Sequence, residues 1–80
     1  MTKEEIEDKL RQGIASITSR DKSSIAVETP LHEMGIDSLS FVEILVFIEK
    51  SFNLRLIELD LTKKDLETVD ALASFIAGKL

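Results

Sequence analysis

The residues best suited to chemistry lie in the stretch MGIDSLS, residues 34–40, where a polar loop meets a strongly apolar run. In this stretch the hydroxyl of Ser38 follows directly after the carboxylate of Asp37. A serine in this position could cap a helix, attack a substrate, or carry a covalently attached group. These three roles make different demands on the surrounding sequence, so they can be compared residue by residue.

The capping role needs only one residue whose side chain accepts a hydrogen bond from a free backbone amide. Either Asp37 or Ser38 has the right chemistry at the start of the apolar run. Spacing alone favours this interpretation, although it leaves one of the two side chains without a task.

A hydrolytic nucleophile would need a general base and an oxyanion hole beside Ser38. His32 is the single histidine, and we expect it to be an ordinary exposed loop residue. Ile36 and Ser40 occupy the glycine positions of a nucleophile elbow, and Ile36 also interrupts a Gly-Asp-Ser-Leu pattern. The chain contains no cysteine that could act instead. We therefore predict no catalytic residue and no metal site.

The attachment role suits a hydroxyl in the first turn of a helix. A phosphate ester formed on Ser38 would lie against free amides and the positive end of the helix dipole. Asp37 adds a like charge but could help to hold a divalent cation during phosphoryl transfer.

The first element that must position these residues is a helix over residues 3–18. Thr2 and Glu5 have capping-box spacing, which marks its start. An apolar stripe at intervals of three and four follows: Ile6, Leu10, Ile14 and Ile17. Residues 19–37 lose this period and form a long loop with regular apolar anchors, in which Gly35 suits a tight backbone turn.

A second helix is predicted from Ser38 to about residue 51, with Asp37 as its N-cap and Asn53 at its end. Residues 53–56 read as an extended connector. Thr62 and Asp65 again have capping-box spacing, which predicts a short third helix that ends near Leu66.

A fourth helix is capped by Thr68, and its apolar stripe consists of Val69, Leu72, Ala73, Ile76 and Leu80. The sequence therefore predicts an all-α fold, a four-helix bundle with a long first loop and a short third helix. The chain length of 80 residues predicts a single domain over residues 1–80.

Composition excludes several classes of protein. The net charge of −5 and the lack of Tyr and Trp argue against nucleic-acid binding, and the absence of cysteine excludes disulfides and thiolate zinc sites. The longest apolar run is too short to span a membrane. Polar residues near the start do not form a signal peptide, so we expect a cytoplasmic location. We also expect the chain to be a monomer.

The second helix has more apolar surface than one core face requires. Residues 39–48 are apolar except for Ser40 and Glu43. Core packing explains most of this excess, but an exposed apolar patch with a charged rim is typical of a docking surface. We predict a docking surface at Ser40, Phe41, Glu43, Val46, Phe47 and Lys50. Because no Lys or Arg occurs in residues 26–49, we expect this region to be acidic and to attract basic partners.

The stretch from Gly35 to Leu39, preceded by EM and followed after Ser40-Phe41 by VE, resembles the phosphopantetheine attachment motif of acyl and peptidyl carrier proteins. The resemblance extends over chain length, helix plan, acidic balance and the end of the second helix. It implies that Ser38 accepts a covalent 4'-phosphopantetheine arm from coenzyme A, with Gly35, Asp37 and Leu39 as the rest of the motif. The arm's thiol would carry acyl groups as thioesters, so the chain would not be an enzyme.

The resemblance also implies the partners: a magnesium-dependent phosphopantetheinyl transferase, and ketosynthase, acyltransferase or adenylating enzymes that load and process the cargo. Ser40, Phe41, Phe47 and Lys50 make the docking face less acidic than that of many fatty-acid carriers, which suggests a specialised lipid, polyketide or nonribosomal peptide pathway. The alternatives are a peptidyl or aminoacyl carrier and an unmodified helical interaction module.

An apolar interior that opens to shelter the acyl chain is a further hypothesis. Ordinary core packing explains the same residues equally well. They are Val42, Leu45, Ile48, Leu66, Leu72 and Ile76.

Overall fold

A computed structural model describes residues 2–55 and 64–80, and within them the fold is mostly helical. Helix α1 spans Lys3–Thr18, as predicted. Its capping box is complete, because the Thr2 amide donates to Glu5 Oε1 at 2.9 Å and the Glu5 amide donates to Thr2 Oγ1 at 3.2 Å. The helix ends at Ser19, which adopts the left-handed conformation with φ 58°.

Helix α2 spans Ser38–Phe52, and Asn53 ends it in the left-handed conformation with φ 54°, which confirms both predicted ends to within a residue. Helix α3 spans Val69–Ala77 and is capped by Thr68, whose hydroxyl accepts from the Ala71 amide at 3.0 Å. This is the element predicted as the last helix. Including Leu80 in its stripe was wrong, because the helix ends before Gly78 and the Leu80 side chain is 56% exposed.

The predicted short third helix falls partly outside the described residues, because its cap, Thr62, and the following residue are not among them. The described part, residues 64–66, forms a turn in which the Glu67 amide donates to the Lys64 carbonyl at 3.3 Å. The described residues therefore hold three α-helices, and a fourth is not confirmed. In the predicted connector over residues 53–56, residues 54–55 belong to neither a helix nor a strand. Leu56 lies outside the described residues.

The long loop between α1 and α2 contains two short 3-10 turns, Lys22–Ser24 and Leu31–Met34. Arg11 of α1 holds its first half, because Nε donates to the Ile25 carbonyl at 2.7 Å and Nη2 donates to the Lys22 carbonyl at 3.1 Å. An Arg guanidinium can satisfy two carbonyls at once because its donors form a rigid fork.

The second half of the loop is held from the other side by the chain segment that leads into α3. The Asp70 amide donates to the Val27 carbonyl and the Leu31 amide donates to the Glu67 carbonyl, both at 2.9 Å. An isolated antiparallel bridge joins Pro30 to Thr68. These bonds explain how a loop without regular structure keeps a fixed course into α2.

The core lies where α1 packs against both α2 and α3. Its largest fully buried side chains, apart from Ile25 in the loop, come from the three helices: Ile6, Leu10, Ile14, Ile44, Ile48, Val69, Leu72 and Ile76. None of the helices in residues 2–55 and 64–80 has the length and continuous apolar character that crossing a bilayer requires.

Of the residues proposed to shelter an acyl chain, all but Val42 are buried in the core or pack against it. Ile48, Leu72 and Ile76 are buried in the core, and Leu45 and Leu66 pack partly against it. Val42 does not belong to any interior, because it lies on the outer face of α2 and is 53% exposed.

Gly13 of α1 is buried against the ring of Phe47 of α2. A Cβ atom at position 13 would overlap that ring. Phe47 is therefore largely used in packing α2 onto α1.

We expect Gly13→Ala to lower the free energy of unfolding by about 1–3 kcal/mol, because the added methyl group overpacks the contact. In a Phe47→Leu background the same change should cost clearly less, because the ring edge is gone. Urea unfolding of the four variants of this cycle measures the difference. Gly78→Ala is the matched control, because a Cβ there meets its nearest atom at an ordinary 3.5 Å. Equal losses in both backgrounds would contradict the proposed contact.

Candidate functional site

The turn before α2 is made by Gly35, which has φ 72° and so adopts the left-handed conformation expected of it. The guanidinium of Arg20 lies beside it, with Nη2 3.6 Å from the position that a Cβ on Gly35 would take. Any other residue at position 35 would be strained in this conformation. The turn directs Asp37 and Ser38 to the start of α2.

Asp37 is the cap of α2, and its Oδ1 accepts a hydrogen bond from the Ser40 amide at 2.8 Å. Hydrogen bonds from Ser40, first from its backbone amide and then from its side chain, lower the pKa of the Asp37 carboxyl below its ordinary value. The carboxylate is therefore charged at neutral pH. Because Asp37 does the capping, the Ser38 hydroxyl is left available.

Ser38 is exposed in the first turn of α2 and lies at the edge of an open groove of about 720 Å³. The floor is mainly apolar, and the described residues that line it are Leu31, His32, Ile36, Asp37, Ser38, Phe41, Lys64, Leu66 and Glu67. An accessible hydroxyl beside an apolar groove fits a long, flexible group attached through a phosphate ester. His32 is exposed, as expected, and also lines this groove.

The apolar residues predicted for docking divide between the inside and the outside of the molecule. Val46 lies on the outer face of α2, whereas Phe41 lines the groove and Phe47 packs on Gly13. Glu43 and Lys50 are exposed, and the Ser40 amide is bound by the cap.

The apolar residues exposed on α2 are Leu39, Val42 and Val46, at 69%, 53% and 40%. Their spacing of three and four places them on one face of the helix. Val42 was missed as a surface residue because a helix that is apolar on most sides does not show which side faces the core. The spacing of Leu39, Val42 and Val46 by three and four residues was the signal in the sequence that could have placed them on one exposed face.

The charge around Ser38 is less one-sided than the sequence indicated. The stretch of residues 26–49 lacks cations, but the fold brings Arg20 to Gly35 and Lys64 to the groove. Both come from outside that stretch, so the order of residues along the chain did not reveal them.

The Asp37 cap makes the stability of α2 depend on pH. Its folded-state pKa is lower than in the unfolded chain, so the stabilisation is complete above about pH 4 and is lost as the pH falls through the folded-state pKa. Asp37→Asn keeps a capping oxygen without a charge that titrates. We expect the stability difference between wild type and Asp37→Asn, measured by urea unfolding between about pH 3 and 7, to change in favour of Asn below about pH 4.

The control for this experiment is Asp21→Asn, because the Asp21 side chain makes no cap hydrogen bond. A difference between wild type and Asp37→Asn that stays constant over the whole range would show that the charged cap does not contribute.

Comparison with known families provides an independent finding. A family described as "phosphopantetheine attachment site" matches residues 8–76, which is most of the chain. Comparison with curated individual proteins returned no match. Domains of this family hold 4'-phosphopantetheine covalently, interact with a phosphopantetheinyl transferase and biosynthetic enzymes, and are carriers without catalytic activity of their own. With an exposed serine at the start of α2 beside an apolar groove, the chain belongs to the phosphopantetheine-attachment family of carrier proteins.

Proposed function

We propose that this chain is an acyl carrier protein that holds its cargo as a thioester on a 4'-phosphopantetheine arm attached to Ser38. It would pass acyl intermediates, as a cytoplasmic monomer, between enzymes of fatty-acid, polyketide or related lipid synthesis. The observation that carries this proposal is the exposed Ser38 hydroxyl, which the Asp37 cap leaves available within the matched region.

In the attachment step, Ser38 Oγ attacks the phosphorus of coenzyme A that bears the pantetheine. A bond forms between Oγ and phosphorus, and the bond from this phosphorus to the bridging oxygen of the pyrophosphate breaks. Adenosine 3',5'-bisphosphate leaves, and the serine proton passes to a base that the transferase supplies. The bound group then contributes a thiol, which this chain lacks because it has no cysteine.

Ser38→Ala should abolish modification. Incubation of the full chain with coenzyme A and a broad-specificity phosphopantetheinyl transferase should raise the intact mass of wild type by one phosphopantetheine. Ser74→Ala is the matched control, because it removes the hydroxyl of an exposed serine on α3, outside the motif and the proposed docking surface. It should be modified like wild type.

No mass gain on wild type would favour the unmodified helical interaction module. A gain that persists on Ser38→Ala would place the attachment elsewhere. Loading by an amino-acid adenylating enzyme, and not by an acyl-loading enzyme, would favour the peptidyl or aminoacyl carrier. The mass of the thioester on protein purified from its own host would identify the pathway.

The outer face of α2 is the proposed docking surface. Leu39, Val42 and Val46 form an apolar stripe next to Ser38, with the exposed carboxylate of Glu43 beside it. We propose that this stripe, together with the exposed residues predicted from the sequence, contacts partner enzymes through an apolar hollow with a basic rim. Phe47 would act indirectly by holding α2 on α1.

Val42→Ser should weaken docking with little effect on stability, because the side chain is more than half exposed. An apolar interface residue that contributes to binding without being a hot spot costs about 1–2 kcal/mol on truncation, so we expect the kcat/KM of the transferase to fall by roughly 5- to 30-fold. Leu80→Ser is the matched control, because Leu80 is 56% exposed but lies beyond α3. Equal rates for both variants would exclude Val42 from the docking surface.

A further inference from the structure

The groove beside Ser38 has one wall that comes from a distant part of the chain. This wall is the turn at residues 64–67, which is closed by the hydrogen bond from the Glu67 amide to the Lys64 carbonyl. The Leu31 amide donates to the Glu67 carbonyl at 2.9 Å and so ties the turn to the loop that leads to Ser38. These backbone bonds hold the turn that carries Lys64 against the loop that leads to Ser38, while the Lys64 side chain is exposed and lines the groove.

The phosphate that modification would place on Ser38 would attract such a cation. A phosphodiester carries one negative charge, and the nearest carboxylate in sequence, Asp37, is charged and repels it. Glu67 adds a second carboxylate to the groove. Lys64 is the one lysine or arginine among the described residues that line the groove. Arg20 lies beside Gly35 and does not line the groove.

We propose that Lys64 binds the phosphodiester formed on Ser38 and thereby holds the near end of the arm against the groove. This inference rests on the proposed attachment at Ser38. Phe41 and Leu66, which also line the groove, then lie where the first apolar atoms of the arm can contact them. A lysine suits this position because its ammonium group is a compact donor for a single phosphate oxygen.

NMR spectroscopy of the full chain, labelled at lysine side chains and compared before and after modification, tests the proposal. We expect the Lys64 ammonium and Cε resonances to shift on modification. The resonances of Lys79 should not shift, because it follows the far end of α3, a helix of nine residues that is about 13 Å long. The change in the Lys64 resonances should largely disappear in about 1 M salt, because salt at this concentration screens the attraction between exposed charges beyond about 3 Å.

Lys64→Gln should remove this contact without preventing modification. The expected results are a changed ³¹P shift of the phosphodiester and faster motion of the arm's first amide in the {¹H}-¹⁵N NOE of a labelled arm. Lys64→Arg should restore both values toward wild type, and Lys79→Gln should leave them unchanged. Circular dichroism spectra check that all variants are folded.

The two proposals fail in different ways. No mass gain on wild type overturns the attachment at Ser38. A normal mass gain with a Lys64 resonance that does not move, or with an arm equally mobile in wild type and Lys64→Gln, overturns the role of Lys64 alone. A histidine resonance that moves while Lys64 does not would assign the phosphate to His32 and equally refute the proposal.

Discussion

The hydrogen bonds that hold the long loop between α1 and α2 are the constraint on which the site depends. Arg11 binds two carbonyls in its first half, and the Asp70 amide binds the Val27 carbonyl in its second half. Ordering a loop of this length costs conformational entropy at every residue. These bonds, with the buried side chains of Ile25 and Leu31, offset that cost. The course of the loop in turn places Gly35, and therefore the start of α2, against the groove.

Helix α2 serves two surfaces at once, which explains its unusual apolar content. One side is held on α1 by the contact of Phe47 with Gly13, and Ile44 and Ile48 continue it into the core. The opposite side exposes an apolar stripe that begins one residue after Ser38. A rigid helix therefore joins the core to the proposed docking surface, so a partner bound to the stripe meets the serine at a fixed distance and orientation.

The sequence predicted those parts of the fold that depend on local interactions. The capping residues located α1, α2 and α3, and the period of the apolar stripe supported α1 and α3, because caps and helical faces are set by residues three and four apart. The sequence likewise predicted Asp37 as the cap of α2. What could not be predicted depends on which elements meet in space: the inward position of Phe47, the outward position of Val42, and the arrival of Lys64 at the groove. No spacing along the chain encodes these contacts.

Asp37 presents a conflict that the geometry resolves. Its carboxylate stabilises α2 but would repel the phosphate that the proposed modification places on Ser38. Because the carboxylate accepts hydrogen bonds from Ser40, its charge is directed at the end of the helix and partly compensated by the helix dipole. The Ser38 hydroxyl takes no part in the cap and faces outward. The exposure that would let a transferase reach this hydroxyl also leaves it open to solvent among the described residues, so in the proposed function partner enzymes would supply the chemistry on the arm.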